Sequence, residues 1–411
     1  MSAVGRKAAW LASKLGLFST TRPRSEPRAL PSHGFDIIDN DRNIEEEELP
    51  EYDPDHFYPV RLGEIFDGRF QTVTKLGYGS SSTIWLARDL QDHRYVALKI
   101  YIHNSAQHRE LPFYERLREV LPGQHAGADK IRKLFGHFHV AGPRGTHMAL
   151  VLEASQMSLR DMDAVFMQGR GFDENFVKSA ITELLHSLDF LHTRVQAVHT
   201  DVHPGNLLLG TGDNSLFKQL EESEMTNPVS RKNLPGRTIY SSRLMKPKVG
   251  PLLLSDFGEA RLGPGPHAGD IMPIVYRAPE TLLWIQWSYA VDIWSVGLTA
   301  WDLLEGRTLF SAKSQDGGYS DGVHLSELIA ALGPPPRELL NLHPGRARKY
   351  WDDDGNWSGF VPIPREKTLE AAETKLGDKT KFLQFMRRSL TWDPAMRPTA
   401  RELLCDPWLK H

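Results

Sequence analysis

The stretch from His199 to Asn206, reading His-Thr-Asp-Val-His-Pro-Gly-Asn, constrains this chain more than any other. It places an aspartate five residues before an asparagine, after a helical run at 176–191. The apolar Leu207-Leu208-Leu209 that follows reads as a short strand. Phosphoryl transfer needs a carboxylate to take up a hydroxyl proton and an amide oxygen to hold a metal, a fixed distance apart. A lone His-x-Asp is an ordinary turn in most chains. A second element downstream, Leu252-Leu253-Leu254-Ser255-Asp256-Phe257-Gly258, gives the first its meaning. There an apolar strand delivers an aspartate to its end.

Upstream elements fit the same chemistry, in a fixed order. Strand-like runs at 70–76 and 83–88 bracket Leu76-Gly77-Tyr78-Gly79-Ser80-Ser81-Ser82. Two glycines between strands suit a hairpin whose backbone must lie close to phosphates, although Gly-x-Gly alone is usually a plain turn. The next strand, Tyr95-Val96-Ala97-Leu98-Lys99-Ile100, sets a lysine where it can meet them. That lysine needs a carboxylate from a helix. Glu110 serves if the helix starts close to it, because Pro112 is tolerated only in a first turn; Glu115 is the alternative. A further apolar strand covers 147–153.

Composition narrows the remaining choices. With 411 residues, 40% hydrophobic and 25% charged, the chain can build two lobes. A net charge of −3 gives no overall field for nucleic acid. The single cysteine, Cys405, rules out an internal disulfide and a multi-cysteine zinc site. No apolar run approaches the roughly 18–20 residues of a membrane helix. Charge is unevenly spread. Residues 1–30 carry six Lys/Arg against Glu26, and residues 35–67 carry twelve Asp/Glu against Arg42 and Arg61. Val4, Ala8, Leu11, Leu15 and Phe18 form an apolar stripe resembling a mitochondrial presequence, with a basic leader as the plainer reading. Residues 31–57, with the run Glu45 to Glu48, read as a mostly disordered, solvated linker. Residues 211–250 read as a polar surface insertion without a motif.

From Phe70 to about Leu409 the chain resembles a eukaryotic protein kinase, and more narrowly the SR-protein kinase family. Ala278-Pro279-Glu280, Asp292-Ile293-Trp294-Ser295-Val296-Gly297 and Arg397 carry the broad likeness. The lead-in from Tyr58 to Phe70, Lys75 to Gly79 with Ser82 to Leu86, Gly142 to His147 and His199-Thr200-Asp201 carry the narrow one. The resemblance implies an α+β bilobal fold, with a small β-rich N-lobe holding one helix and a larger, mainly helical C-lobe. The bounds would be a leader at 1–57, an N-lobe at 58–153 and a C-lobe at 154–411 that includes the insertion. ATP would lie in the cleft. It would meet the glycine loop (76–82), Ile84, Ala97, Lys99, Leu208 and the backbone of a hinge at Glu153 and Ser155. Asn206 and Asp256 would bind Mg²⁺, Glu110 would hold Lys99, and Asp201 would take the hydroxyl proton. Glu280 and Arg397 would form a buried pair beneath the activation segment. Serine/threonine kinase activity follows, with Arg/Ser-rich splicing factors as the family's usual targets and nucleus or cytoplasm as its usual location.

Three positions depart from the pattern. Thr200 replaces the arginine that binds a phosphorylated activation loop, which suits a kinase needing no such phosphate. His203 replaces a lysine, and a histidine supplies less positive charge at pH 7. Ala330 stands where the family's docking groove would have an acid. Two rivals follow: a small-molecule kinase, since His-x-Asp-x-His-Pro-Gly-Asn also resembles aminoglycoside and choline kinases, and a non-catalytic scaffold.

Overall fold

The computed structural model describes residues 23–103, 109–121, 124–359 and 361–410. The presequence-like stripe from Val4 to Phe18 lies outside them. Strands β1 (Ile65–Phe66), β2 (Phe70–Gly79), β3 (Ser82–Asp89), β4 (Arg94–Tyr101), β5 (Leu134–Ala141) and β6 (Thr146–Glu153) form one sheet in the order β1-β2-β3-β4-β6-β5. Helix α1 (Glu110–Val120) separates β4 from β5, and α2 (Glu174–Phe190) follows β6. Short strands β7 (Ala197–Val198) and β8 (Leu207–Leu209) flank the His199–Asn206 stretch. Then come α3 (Ser215–Thr226), the hairpin β9 (Arg231–Leu234) and β10 (Arg237–Tyr240), β11 (Leu252–Leu254) and β12 (Arg261–Leu262). Helices α4 (Ala290–Glu305), α5 (Asp321–Leu332) and α6 (Thr380–Ser389) complete the larger elements.

Contacts group these residues into two units. The first takes its described residues from 23–103, 135–152 and 214–243, the second from 109–134, 153–213 and 244–410. In the first, β2–β3 and β3–β4 pair antiparallel, with Ile84 opposite both Gly77 and Lys99. Its core of Phe66, Phe70, Trp85, Val96, Leu98 and Val151 is what alternating apolar residues on adjacent strands must bury. Tyr240 of the insertion joins that core, edge-on to Trp85 at 5.8 Å.

The insertion is therefore structural rather than a polar surface loop. Phe217 of α3 packs on Tyr95, and Glu224 accepts from Thr74 Oγ1 at 3.1 Å and from Arg243 Nη2 at 2.7 Å. Its residues 214–243 group with the sheet unit and not with the helical unit, where its place in the sequence put it. The acidic stretch also departs from the solvated linker expected of it. Ile37 bridges to Arg231, Lys232 Nζ meets Glu47 at 2.9 Å, and Glu46 is buried against the fully buried Lys75. Glu45 lies 3.2 Å from the same ammonium. Cations distant in sequence neutralise the run, so the repulsion that should keep it in solvent is absent.

In the second unit, Asp173 caps α2, its carboxylate accepting from Phe176 N at 3.0 Å. Val177, Ile181, Leu184 and Leu188 recur at helical spacing and are buried. Helix α4 is buried almost all round, including Trp294 and Trp301, and ends on Gly306 at φ +71°. Helix α1 groups here too, because Phe113 stacks on Phe257 at 3.9 Å. It starts at Glu110, so Pro112 sits in the first turn, where its missing N–H is no loss.

Candidate active site

The loop after β7 is held from beneath by one carboxylate. Asp292, fully buried at the start of α4, accepts from His199 N and Thr200 N, each at 2.8 Å, and contacts His192 Nε2 at 2.8 Å. Thr200 adopts φ +68°, an unusual conformation for a β-branched residue. Its backbone bond to Asp292 and its hydroxyl bond to Glu259 O at 2.7 Å hold it there. The loop then turns so that Asn206 reaches back to Asp201. Asn206 Nδ2 donates to Asp201 O at 2.8 Å and to Asp201 Oδ2 at 2.9 Å.

Strand β11 pairs with β8, and Ser255 N and Oγ both donate to Asn206 O at 3.0 Å. That places Asp256, two residues beyond β11, directly after the residue bonded to Asn206, which itself immediately precedes β8. Asp256 also has positive φ, +61°, and its Oδ1 accepts from Gly258 N at 3.3 Å. Strained backbone of this kind costs about 1–3 kcal/mol per residue and persists where surrounding bonds demand it. Phe257, wholly buried, packs against Phe113, Tyr114 and His199, linking helix α1 to the loop.

Sequence reasoning passed over two residues here. Arg132 is buried beside β11, with N donating to Leu254 O at 3.0 Å and Nε to Glu153 O at 2.9 Å. Burial lowers its guanidinium from the ordinary value, opposed by the charges of Tyr114, Glu110, Glu153 and Asp256. It thus shares the field of two of the expected site carboxylates. A single arginine after an isoleucine carried no periodic signal. Arg160, in the short helix Leu159–Met162, reaches His203: Nη2 lies 2.9 Å from Nδ1. The other ring nitrogen, Nε2, is 3.4 Å from Asp201 Oδ1.

The remaining expected residues divide between the units. In the sheet unit, Leu76, Gly77, Tyr78 and Gly79 end β2, Ser80 and Ser81 form the turn, and Ser82 and Ile84 open β3. Tyr78 is exposed, Ala97 is fully buried on β4, and Lys99 is buried with Nζ 5.2 Å from the Tyr101 ring. In the helical unit are Glu110, buried at the start of α1, and Asp201, Asn206 and Asp256. Glu153 ends β6, Ser155 is buried, and Leu208 is half-buried on β8.

The residues fit a magnesium ion carried in on a nucleotide. Asn206 spends its amide N–H groups on Asp201, which leaves Oδ1 to face a cation. Among the described residues no group of three or more His, Cys, Asp or Glu could hold a metal alone. Two protein oxygens completed by phosphate and water is the usual coordination of Mg²⁺ beside a nucleotide.

Comparison with known proteins agrees with this geometry. The protein kinase domain family matches residues 70–409. A serine/threonine protein kinase of Aspergillus fumigatus is 41% identical over 391 residues, 94% of this chain and 95% of that one. The serine/threonine-protein kinase SRPK of Physarum polycephalum is 28% identical over 397 residues, 89% and 91% of the two chains. SRSF protein kinase 3 of Mus musculus is 32% identical over 214 residues, 51% and 37%. The crystal structure of a kinase domain superposes with a TM-score of 0.68 at 22% identity, covering 87% of this chain and all of that one.

Proposed function

The chain belongs to the protein kinase family and is a serine/threonine protein kinase; from that premise we propose that Asp201 is its base and that its acceptors are serine and threonine hydroxyls of Arg/Ser-rich proteins. The fold implies ATP and a divalent cation. Bound Mg²⁺-ATP supplies the phosphoryl group and neutralises its charge. The chain's own residues then position and polarise. Asp201 orients the hydroxyl and takes its proton through a carboxylate fixed by Asn206. Asn206 and Asp256 face the cation. Lys99, held by Glu110, orients the α- and β-phosphates, and the backbone of residues 76–82 covers them. Leu76, Ile84, Ala97 and Leu208 enclose the base, whose edge meets the backbone at Glu153 and Ser155. Catalysis of this kind is largely positioning with electrostatic stabilisation.

The observation that carries the reading is the paired bond from Asn206 Nδ2 to Asp201, which ties base and cation ligand together. A protein acceptor, rather than a small molecule, is supported by Glu280 and Arg397, whose buried pair underlies the 256–280 segment. The Thr200–Glu259 bond supports activity without a phosphorylated segment. Arg/Ser-rich acceptors are suggested by the names of the SRPK and SRSF kinase relatives. The acids Asp321 and Glu327 of α5 are engaged with Arg346 and with Ser311 and Lys367, so arginine recognition would fall to other residues.

The test is transfer by the full chain with Mg²⁺-ATP to an Arg/Ser-repeat peptide and to a generic basic protein. Faster labelling of the peptide is expected, and Asp201→Asn should lower transfer by about 10²–10⁴ while ATP still binds. Labelling of the generic acceptor alone would remove the Arg/Ser assignment. Undiminished transfer by Asp201→Asn would remove the base.

A further inference from the structure

His203 is gripped by two groups that can only donate. Its Nδ1 lies 2.9 Å from Arg160 Nη2 and accepts from Gly205 N at 3.0 Å. Neither a guanidinium nor a backbone N–H offers a lone pair, so Nδ1 must be the acceptor. The neutral imidazole then carries its proton on Nε2. Nε2 is the nitrogen facing Asp201, 3.4 Å from Oδ1. Asn206 Nδ2 also approaches Nε2, at 3.3 Å, but its two protons are already directed at Asp201 O and Oδ2. The arrangement leaves little freedom. His203 is 8% exposed, and a Cβ on Gly205 would stand 2.8 Å from His203 Cε1 and 3.0 Å from Arg160 Cζ. A side chain at 205 would push His203 and Arg160 out of this arrangement.

We propose that Arg160 is a positioning residue for Asp201: by holding His203 Nδ1 it sets the angle of a ring whose Nε2 stands 3.4 Å from Oδ1, while Asn206 donates to Oδ2 on the other side. The inference rests on Asp201 as the base. It also accounts for His203 at a position where the resemblance expects a lysine. The imidazole stands beside the base, and the positive charge stands behind it on Arg160. An arginine serving only to anchor the short helix Leu159–Met162 would give no such coupling.

Steady-state kinetics on the full chain separate the two cases. Arg160→Met should lower kcat roughly tenfold, the scale of one hydrogen bond lost beside a charged group, with KM for ATP changed less than about twofold. Arg160→Lys, still a pure donor, should recover most of that loss. His203→Gln places an N–H near the Nε2 position without a ring acceptor, so adding Arg160→Met to it should change kcat less than about twofold. Should Arg160→Met melt below the assay temperature, Arg160→Leu carries the same expectation of a roughly tenfold fall, because it too removes the donor. Full kcat in Arg160→Met, a loss confined to KM, or an equal loss in the His203→Gln background would overturn the proposal. Asp201→Asn is run alongside. If that variant is inactive while Arg160→Met is unaffected, the base stands and only the role of Arg160 falls.

Discussion

Removing Arg397 is the most demanding stability test the structure offers. Its guanidinium holds Glu280 in a two-pronged pair, Nη1–Oε1 at 2.6 Å and Nη2–Oε2 at 2.7 Å, with both side chains wholly buried. Arg397 also donates to Thr391 O at 2.8 Å and Ala290 O at 3.0 Å, and it lies over the Trp294 ring. Among the described residues, Arg397 supplies the hydrogen bonds that the Glu280 carboxylate accepts. Arg397→Met therefore strands a buried carboxylate, which costs about 3–5 kcal/mol. An independent bound agrees. A glutamate ordinarily ionises near pH 4.3, so neutralising one at pH 7 costs about 3.7 kcal/mol, and a stranded group need not cost more than that. With about 2–4 °C lost per kcal/mol in a unit of this size, melting should fall by about 10 °C at pH 7. The stranded carboxylate would take up a proton on folding, so stability of the variant falls as pH rises, and the deficit should shrink to about 1.6 kcal/mol at pH 5.5. The double substitution Glu280→Leu with Arg397→Met should regain most of the loss. Calorimetric melts of the three proteins at both pH values decide it. An Arg397→Met melt within about 2 °C of the parent at pH 7, or a deficit that does not change with pH, would refute the reasoning.

Two further perturbations follow from buried charge. Burial pushes the Asp302 carboxyl up to about 7, with Tyr276 OH donating to Oδ2 at 2.5 Å and Oδ1 buried without a partner. A value raised above that of the unfolded chain gives stability that is present near pH 4 and lost as pH rises towards 7. Asp302→Asn should remove that slope, worth about 4 kcal/mol across the window, and melts from pH 4.5 to 7.5 that run parallel in the two proteins would contradict it. Deleting residues 23–57 should leave Lys75 and Lys232 as buried cations and cost several kcal/mol, on the order of 3–5 for each broken pair. Lys75→Met in the shortened chain should recover part of this, and a shortened chain that melts with the parent would count against the packing described.

What the sequence disclosed was whatever lies in short local order. The strand at 207–209 was read to the residue, the helix read at 176–191 spans Glu174–Phe190, and the condition that Pro112 set, a helix starting close to Glu110, is met. Glu280 and Arg397 were legible as a pair because both stand in recognisable motifs. Ion pairs across long separations were not. Nothing near Glu46 signals that Lys75, twenty-nine residues on, will bury its charge against it, nor that Lys232 waits for Glu47. Acidic runs look solvated until their cations are found, and here those cations sit in a strand and in an insertion with no motif. Arg160 and Arg132 escaped notice for a related reason. Each acts through a partner in another element, His203 or Glu153, and a side chain's reach across loops leaves no periodicity to read.

The three-piece make-up of the sheet unit bears on how the chain is made. Its parts lie at 23–103, 135–152 and 214–243, and Tyr240 belongs to its core. A ribosome releases the sheet strands long before the hairpin that covers Trp85 or the lysine that receives Glu47. At about 5–20 residues per second, the strands wait several seconds for residue 243 to appear. Over that interval Trp85 and its neighbours lack part of their cover, which marks the half-made chain as the form most in need of a chaperone.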